Sequence, residues 1–553
     1  MTSFGFRWAC GLVALSLPMA GWAQDDLGQT RSDERRAEGR SGSRTEVVPY
    51  IEAAQVLSAE LHPGDDVVTY TSLAAGVDAT VAGRNSAASV SLRYERRIDW
   101  DGDTADGDTI SGVARAGIGV ARGVTLEAGA LAAQTRVEGS GAATIGGFAG
   151  DDTATSQIYS AYAGPSVHTM AGNVEVEGHY RFGYTKVEAP DSVVVAPGAA
   201  PADVFDESTT HGAYARAGVR PNTVAPIGVG VGGGWTEQNI SNLDQRIRDR
   251  HVRADVTVPL SPTLAAVGGV GYEDVEVSSR DARRDAAGNP IIGPDGRFVT
   301  DETGPRQIAY ETDGLIWDAG VLWRPSRRTS LEARVGRRYG SMTYLGTLSY
   351  APNARTSLNV AVYDNVTSFG GVLVERISAL PEEFDAFRNP ITGQIGGCVA
   401  SLEGGSCIAG ALGTVNSAVF RSRGIAASYS VDLGRTTFGT GVGYDRRKFI
   451  AAAGTVLGAT NGLVDETVWY AAYASTQLDA RSSLSADANV SWFQSEADLA
   501  GGVLGYSASL SYRRNLIRGL TATAAVGLDG ISRDNLDDFL SASALLGLRY
   551  AFY

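Results

Sequence analysis

From Thr45 onward, small or apolar residues occupy every second position in successive segments of roughly 10 to 17 residues. In the segment 173–186, Val174, Val176 and Tyr180 share one parity, and the other parity is mostly polar or charged. A period of two is typical of a β-strand, and the alternation places the two faces in different surroundings. The pattern therefore predicts an all-β chain in which each strand has one apolar and one polar face.

The connections between these segments alternate in length. Short turns such as 122–123, 325–328 and 434–435 are separated by longer stretches, among them 281–306 and 370–416. Outer-membrane barrels have short periplasmic turns and longer extracellular loops in this order. We therefore expect a transmembrane, antiparallel, up-and-down β-barrel with an even number of strands, about 22 within a range of roughly 18 to 24. An even number places both ends of the chain in the periplasm.

The first residues precede this pattern and differ in composition. A cationic start is followed by an apolar stretch over Trp8–Ala20 and by small residues up to Ala23. This order indicates a secretory signal peptide over residues 1–23, cleaved after Ala23; a retained anchor is the alternative, but the stretch is short for a membrane span. Residues 24–44 hold few apolar side chains and predict a flexible periplasmic lead, so that the barrel would occupy 45–553.

Composition narrows the classes of function. The net charge of -15 argues against nucleic-acid binding. The chain has only 5 histidines, none in a recognisable Ser-His-carboxylate context, so we expect no catalytic site, no metal and no cofactor. Loop 99–108 is acidic but departs from the EF-hand spacing, which favours a solvated loop over a calcium site. Without the signal peptide only Cys398 and Cys407 remain, which predicts a disulfide at the tip of the longest extracellular loop.

Charged side chains of the polar parity would face the interior of a closed barrel, because an Arg or Lys facing lipid at mid-bilayer would cost about 2 to 4 kcal/mol. The residues predicted to line the lumen are Arg93, Glu95, Arg97, Arg115, Glu127, Glu175, Glu177, Arg181, Arg216, Arg220, Arg253, Asp255, Asp318, Glu332, Arg334, Arg338, Asp487 and Arg513. They could set the selectivity of a polar conduit, or they could pair and simply hold neighbouring strands together. A lumen of about 22 strands is too wide for side chains alone to fill, which favours the conduit.

A second basic set has the lipid-facing parity but lies at the extracellular ends of the strands. It consists of Arg96, Arg421, Arg423, Arg446 and Lys448. Arginine matches the geometry of phosphate, so these residues predict contacts with outer-membrane lipids and with lipopolysaccharide. Solvated strand ends are the alternative.

The last strand of the pattern carries Gly547, Tyr550 and Phe552. This ending resembles the C-terminal assembly signal of bacterial outer-membrane barrels, although it departs from that signal by the extra Tyr553 and by Leu545 where a polar residue is usual. The resemblance implies insertion into a Gram-negative outer membrane by the barrel-assembly machinery.

The opening of the barrel, residues 47–97, resembles proteobacterial barrels found in genomes with polysaccharide-export systems. The resemblance implies membrane location and envelope export partners. We expect a porin-like passive conduit for small solutes or saccharides. The alternative is a non-conducting structural or adhesive barrel that displays loops 281–306 and 370–416. A ligand-gated importer with an internal plug would need a further globular domain before the first strand, where we expect only the lead.

Overall fold

The computed structural model describes residues 44–100, 107–137, 143–145, 155–188, 193–194, 201–202, 207–294, 296–401, 406–413, 415–496, 502–534 and 537–552. The expected signal peptide, nearly all of the expected lead and the middle of the acidic loop 99–108 lie outside the described residues.

Within the described residues, 22 antiparallel strands form a closed ring. Their bounds are β1 Arg44–His62, β2 Val67–Ala82, β3 Ser86–Asp99, β4 Gly107–Ala121, β5 Val124–Val137, β6 Thr155–Ala171, β7 Val174–Glu188, β8 Glu207–Val219, β9 Gly228–Ile240, β10 Gln245–Ser261, β11 Leu264–Ser279, β12 Gln307–Ser326, β13 Thr329–Arg338, β14 Ser341–Asn353, β15 Thr356–Thr367, β16 Val419–Asp432, β17 Thr436–Ile450, β18 Val464–Gln477, β19 Ser482–Ser495, β20 Val503–Ile517, β21 Leu520–Arg533 and β22 Phe539–Ala551. Each strand pairs with the next, and β22 pairs with β1 from Tyr50 to His62, which closes the ring. The predicted fold class and the even strand number are confirmed.

The remaining elements belong to connections. They are the strands Ala143–Ile145, Val193–Val194, Pro201–Ala202, Asp385–Arg388, Ile395–Ala400 and Ser406–Cys407, helices α1 Phe369–Ser378 and α2 Ala409–Leu412, and 3-10 turns at Asn242–Asp244 and Val456–Thr460. No helix among the described residues has the length and apolar character needed to cross a membrane.

The outer face of the ring carries a band of apolar side chains. On β10 every second residue from Val252 to Leu260 points outward and remains exposed or half-buried. Eight steps of about 3.3 Å along a tilted strand give a band about 20 Å high, close to the height of the lipid-facing band in outer-membrane barrels. Tyr272 near its upper margin and Trp323 near its lower margin are exposed aromatic residues, as in the girdles at membrane interfaces.

The described part of the connection from β15 to β16, residues 368–401, 406–413 and 415–418, folds into the interior of the ring, and we call these residues the inner segment. The segment begins with α1, whose N-cap Ser368 accepts a hydrogen bond from the Gly371 backbone N–H at 3.2 Å. Leu373 and Ile377 of α1 are fully buried and share one apolar cluster with side chains of β4, β5 and β6. The prediction that 370–416 is an extracellular loop is wrong, because its apolar side chains are buried against the inner wall.

Connections at the long-loop end of the barrel pack on one another. Arg280 donates a hydrogen bond to Asp244 at 3.0 Å, which joins the connection β11–β12 to the connection β9–β10. The Val456 backbone N–H donates to Asp281 at 2.8 Å, which joins the connection β17–β18 to the connection β11–β12. Leu243 and neighbouring apolar side chains from all three connections form a small core. We call this arrangement the cap.

Candidate functional site in the barrel lumen

The residues predicted to line the lumen all have the inward parity of their strands, and they fall into three groups. The first, which we call the charge belt, lies on β7, β8, β10, β12 and β13 and consists of Glu175, Glu177, Arg216, Arg220, Arg253, Asp255, Asp318, Glu332 and Arg334. The second lies on the strands around the inner segment and consists of Arg93, Glu95, Arg97, Arg115, Glu127, Arg181, Asp487 and Arg513. Arg338, at the end of β13, stands apart from both.

The centre of the charge belt is built from two forked ion pairs. Arg216 holds Asp255 through Nε and Nη2, at 3.0 and 2.7 Å. Arg253 holds Asp318 in the same way, at 2.6 and 2.7 Å. Arg253 Nη1 also lies 3.6 Å from Asp255, so the two pairs are joined. Two-pronged Arg–carboxylate contacts fix the planes of both partners.

The belt continues at both ends. Arg334 donates to Asp318 at 2.9 Å and also to Glu332 on its own strand. At the other end, Arg220 holds Glu175 at 2.6 and 2.9 Å. Positive and negative side chains therefore alternate from β7 to β13, and each charge is compensated locally.

Glycines on the intervening strands make room for these arginines. Arg216 on β8 reaches Asp255 on β10 across β9, and a Cβ atom at Gly230 of β9 would lie 2.5 Å from Arg216 Nη2. Arg253 on β10 reaches β12 across β11 in the same way, over Gly269. A side chain at either glycine would displace the guanidinium. The guanidinium groups lie flat against the wall because the glycines of β9 and β11 have no side chain beneath them.

Part of the belt remains accessible from the lumen, whereas Arg253 and Glu332 retain only 5% exposure. The exposed side-chain fractions are 27% for Glu177, 24% for Arg216 and 17% for Asp318. Inward residues of β14 and β16 at mid-height, such as Thr347 and Ser428, are likewise only half-buried. The part of the wall from β8 to β16, which we call the accessible half, thus keeps contact with the lumen. Within the described ranges, no three His, Cys, Asp or Glu side chains are grouped so that they could hold a metal ion.

On the opposite wall, polar contacts attach the inner segment to β3 and β4. Arg388 donates to Ser111 Oγ at 2.7 Å and to the Ser91 carbonyl at 2.9 Å. Ser111 Oγ in turn donates to the Gly393 carbonyl at 2.9 Å. These bonds satisfy the guanidinium with neutral acceptors of the wall, so this contact holds the segment without a carboxylate.

Apolar contacts hold the segment on two further sides. Val374 and Ile377 of α1 lie against Gly183 of β7 and Gly129 of β5, where any larger residue would collide with them. On another side, Ile391 belongs to an apolar cluster with Val56 and other inward side chains of β1, β2, β21 and β22. The segment thus reaches several parts of the inner wall, and the strands β1–β7 and β17–β22 form a filled half of the lumen.

Several of the predicted lumen residues are covered by the inner segment instead of facing water. Arg115 and Glu127 form an ion pair of 3.2 Å in which neither side chain retains more than 5% exposure. Glu382 of the segment approaches the same wall at Gly117 of β4. Arg93 pairs with Glu52 at 2.9 Å and lies next to the segment. These residues have the predicted inward parity, but the inner segment covers them, so they do not face the open lumen.

The disulfide between Cys398 and Cys407 is present, with an S–S distance of 2.06 Å. It does not lie at the tip of an extracellular loop. Cys398 is 2% exposed and packs in a cluster with Trp469 and Tyr473, which point inward from β18. Phe387 of the inner segment stacks on Tyr473 with 4.0 Å between ring centroids. The disulfide therefore links two parts of the inner segment inside the barrel, and the predicted position at the tip of an extracellular loop is wrong.

Arg338 belongs to a cluster that the sequence analysis largely missed. Its Nη2 lies 2.8 Å from Asp249 Oδ2, and its Nε lies 3.4 Å from Glu273. Tyr339 donates its hydroxyl to Asp249 at 2.9 Å and its backbone N–H to Glu273 at 2.6 Å. The parity of β10, which placed Arg253 inward, also places Asp249 inward and could have identified it.

The last strand completes the wall. Tyr550 and Phe552 point outward and make an edge-to-face contact with 5.0 Å between ring centroids. Gly547 faces inward and lies against Ala54 of β1, where a Cβ atom would be 2.9 Å from the Ala54 Cβ. The residues of the expected assembly signal are therefore part of the seam that closes the ring.

Fold and lumen together define a closed, membrane-type β-barrel with a partly filled interior. No protein-family model and no curated protein matches the chain. Similar solved structures include the ferric-catecholate import receptor Fiu of E. coli K12 in its open form, with 11% identity, a TM-score of 0.45 and coverage of 93% of this chain and 82% of that chain. The FrpB iron transporter of Neisseria meningitidis has 11% identity, a TM-score of 0.41 and coverage of 91% and 81%. The siderophore receptor PiuA of Acinetobacter baumannii has 9% identity, a TM-score of 0.40 and coverage of 93% and 82%.

At these identities and TM-scores, none of the three assigns a substrate or a mechanism to this chain. Their names are those of receptors and transporters, and none of the three is named as an enzyme. None is named as a barrel of a polysaccharide-export system either, so that resemblance stays a prediction.

Proposed function

We propose that the protein is an outer-membrane barrel whose lumen is a polar conduit for small solutes or saccharides, narrowed by the inner segment. The observation that supports this most is the division of the lumen. One half is filled by the inner segment, while the other keeps part of the charge belt accessible. A conduit along the accessible half passes smaller solutes than an empty ring of 22 strands would.

The chemistry of the belt supports polar, uncharged solutes. Its arginines and carboxylates compensate each other in pairs such as Arg216 with Asp255 and Arg253 with Asp318. Such a surface presents donors and acceptors side by side without a strong net field. Hydroxyl groups of a saccharide can replace water on both kinds of group, whereas a simple ion gains little from a wall whose charges are largely paired.

The non-conducting alternative is favoured by the cap. Asp281 is bonded to the Val456 backbone, and Leu243 packs with side chains of the connections β11–β12 and β17–β18. A cap that joins connections from separate parts of the ring, together with an inner segment that reaches several strands, would suit a structural or adhesive surface barrel.

Current measurement in planar bilayers decides between the two. The purified chain, shown to be folded by its heat-modifiable mobility, is expected to give steady single-channel current and to admit small sugars into proteoliposomes. Silence and exclusion of sugars in the folded protein would support the scaffold instead. The proposal also includes export by residues 1–23 and insertion by the barrel-assembly machinery. N-terminal sequencing of the outer-membrane form is expected to begin at Gln24.

A further inference from the structure

Cationic side chains gather on the outer surface where β13, β16 and β17 reach the long-loop end of the barrel. This cationic patch consists of Arg337, Arg421, Arg423, Arg446 and Lys448. Four of them form two directly opposed pairs on the adjacent strands β16 and β17, Arg421 with Lys448 and Arg423 with Arg446. Like charges directly opposite are destabilising in a sheet. The patch therefore needs anions to compensate it.

The chain supplies only part of that compensation. Asp364 of β15 accepts from Arg421 at 2.7 and 2.8 Å and from Arg423 at 3.1 Å. Glu466 lies 3.5 Å from Arg446. Among the described residues, the structure shows no ion pair for Arg337 or Lys448, and both are exposed. Five cations thus stand against the two carboxylates of Asp364 and Glu466.

A short hairpin holds part of the patch in place. β13 and β14 are joined by a tight turn at Tyr339 and Gly340, both with positive φ. Next to this turn, Arg421 donates to Ser341 Oγ at 2.7 Å, and its guanidinium lies over the Tyr339 ring with 5.2 Å to the ring centroid. Arg423 donates to the same hydroxyl at 3.0 Å. Both guanidinium groups are thus held by the chain itself. Arg421 retains only 15% side-chain exposure, so the cations open to a ligand are mainly Arg337, Arg446 and Lys448.

The patch lies at the upper margin of the lipid-facing band. Directly below it on the same outer face are exposed Val335, Tyr344 and Ile425, and Val468 lies below Glu466. At this margin the headgroups of the outer leaflet meet the barrel. A ligand of the patch can therefore have its charges at the arginines and its acyl chains against the apolar band.

Other sectors of the rim differ. The outer face of β9–β12 at the same end carries Glu237, Arg246, Arg248, Arg250, Asp274, Glu276, Glu311 and Asp313. Here carboxylates outnumber arginines, and Arg246 is paired with Glu276 at 3.2 Å. On β3, Arg96 of the expected basic set is paired with Asp108 at 2.9 Å. The excess of positive charge is thus a property of the patch and not of the whole rim.

We propose that the cationic patch binds the phosphates of a phosphorylated glycolipid of the outer leaflet, that is, lipopolysaccharide. This rests on the proposed outer-membrane location but not on conduction. Guanidinium forks suit phosphate oxygens, and Lys448 adds a point charge. From β13 to β17 the patch spans four strand spacings, about 19 Å, which accommodates more than one phosphate.

The test measures binding of purified lipopolysaccharide to the detergent-solubilised barrel, by native mass spectrometry and by thermal stabilisation. The test variant is Arg337→Ser with Lys448→Ser, which leaves the pairs with Asp364 intact. We expect it to bind roughly tenfold or more weakly than the unaltered protein, since each lost contact is a charged hydrogen bond. Arg250→Ser is the matched control, because Arg250 is also an outward arginine near the rim but lies beside Asp274.

Weaker binding by the double variant, with unchanged binding by Arg250→Ser, supports the proposal, as does loss of binding when the lipopolysaccharide is dephosphorylated. Equal binding by the double variant and the unaltered protein overturns it. Displacement by inorganic phosphate at comparable concentration overturns the glycolipid as the ligand and leaves a phosphate site. Failure of the proposed function shows itself separately, as a barrel that binds lipopolysaccharide but carries no current.

Discussion

Replacing Asp318 by Asn removes the carboxylate that joins two arginines of the charge belt. Arg253 holds it through two hydrogen bonds of 2.6 and 2.7 Å, and Arg334 donates a third at 2.9 Å. The amide keeps the size of the side chain and one acceptor oxygen, so the main change is the loss of one negative charge. Arg334 keeps Glu332 and Arg253 keeps Asp255, so the belt loses one negative charge next to the accessible half.

The size of the effect follows from Coulomb's law. For an ion about 6 Å from the position of the removed charge, the change in interaction energy in water is about 0.7 kcal/mol, and screening at 0.1 M salt reduces it to about 0.4 kcal/mol. Anions are attracted and cations repelled by this amount. The anion-to-cation permeability ratio is therefore expected to rise about three- to fourfold at 0.1 M and by less than about 1.5-fold at 1 M, where the screening length is about 3 Å. Loss of charged hydrogen bonds lowers the free energy of unfolding by about 1.5 to 3 kcal/mol.

The assay is the reversal potential across a KCl gradient, measured for the unaltered protein and for Asp318→Asn at both salt concentrations. The control is the double variant Asp318→Asn with Arg334→Met, which restores the original net charge of the belt and should restore the original selectivity. An unchanged ratio at 0.1 M would refute the belt as the wall of the conduit. A shift as large at 1 M as at 0.1 M would refute the electrostatic reasoning.

Three further variants test the packing of the interior. Gly183→Leu should displace α1, since even a Cβ at this position would lie 2.5 Å from a Val374 methyl group, and the displacement should raise single-channel conductance. Gly212→Leu on the neighbouring strand is the control, because open space surrounds Gly212 and the conductance should not change. Replacing Cys398 and Cys407 together by Ser should leave the heat-modifiable folded band intact, because the disulfide staples only the inner segment; loss of that band would contradict this. Arg338→Ser should lower the free energy of unfolding by about 3 to 5 kcal/mol in denaturant titrations, because it leaves a buried carboxylate of β10 without its cation; an effect below about 1 kcal/mol would mean that water replaces it.

The number of strands and the direction of each side chain, inward or outward, could be predicted from the sequence because both follow from local patterns. A strand buries one face whatever its neighbours are, so alternation along β7 or β10 places Glu177 and Arg253 inward without knowledge of their partners. Turn lengths then give the order of up and down strands. The partners themselves depend on which residues stand opposite across the sheet and at which height. Arg216 bonds two strands away over Gly230, and nothing local in either strand indicates that distance.

The interior course of the inner segment was not predicted, because loop length and glycine content are the same for a loop that extends outward and for one that turns inward. The informative signal was the apolar face of α1. Burial of a side chain such as Leu373 or Ile377 contributes about 1.5 to 3 kcal/mol relative to exposure, and an extracellular loop would leave them in water. A ring of 22 strands encloses more space than its own side chains fill. A long connection that carries an apolar helix next to such a space lowers its free energy by entering it, so the apolar content of the longest loop is the feature that predicts a partly filled lumen.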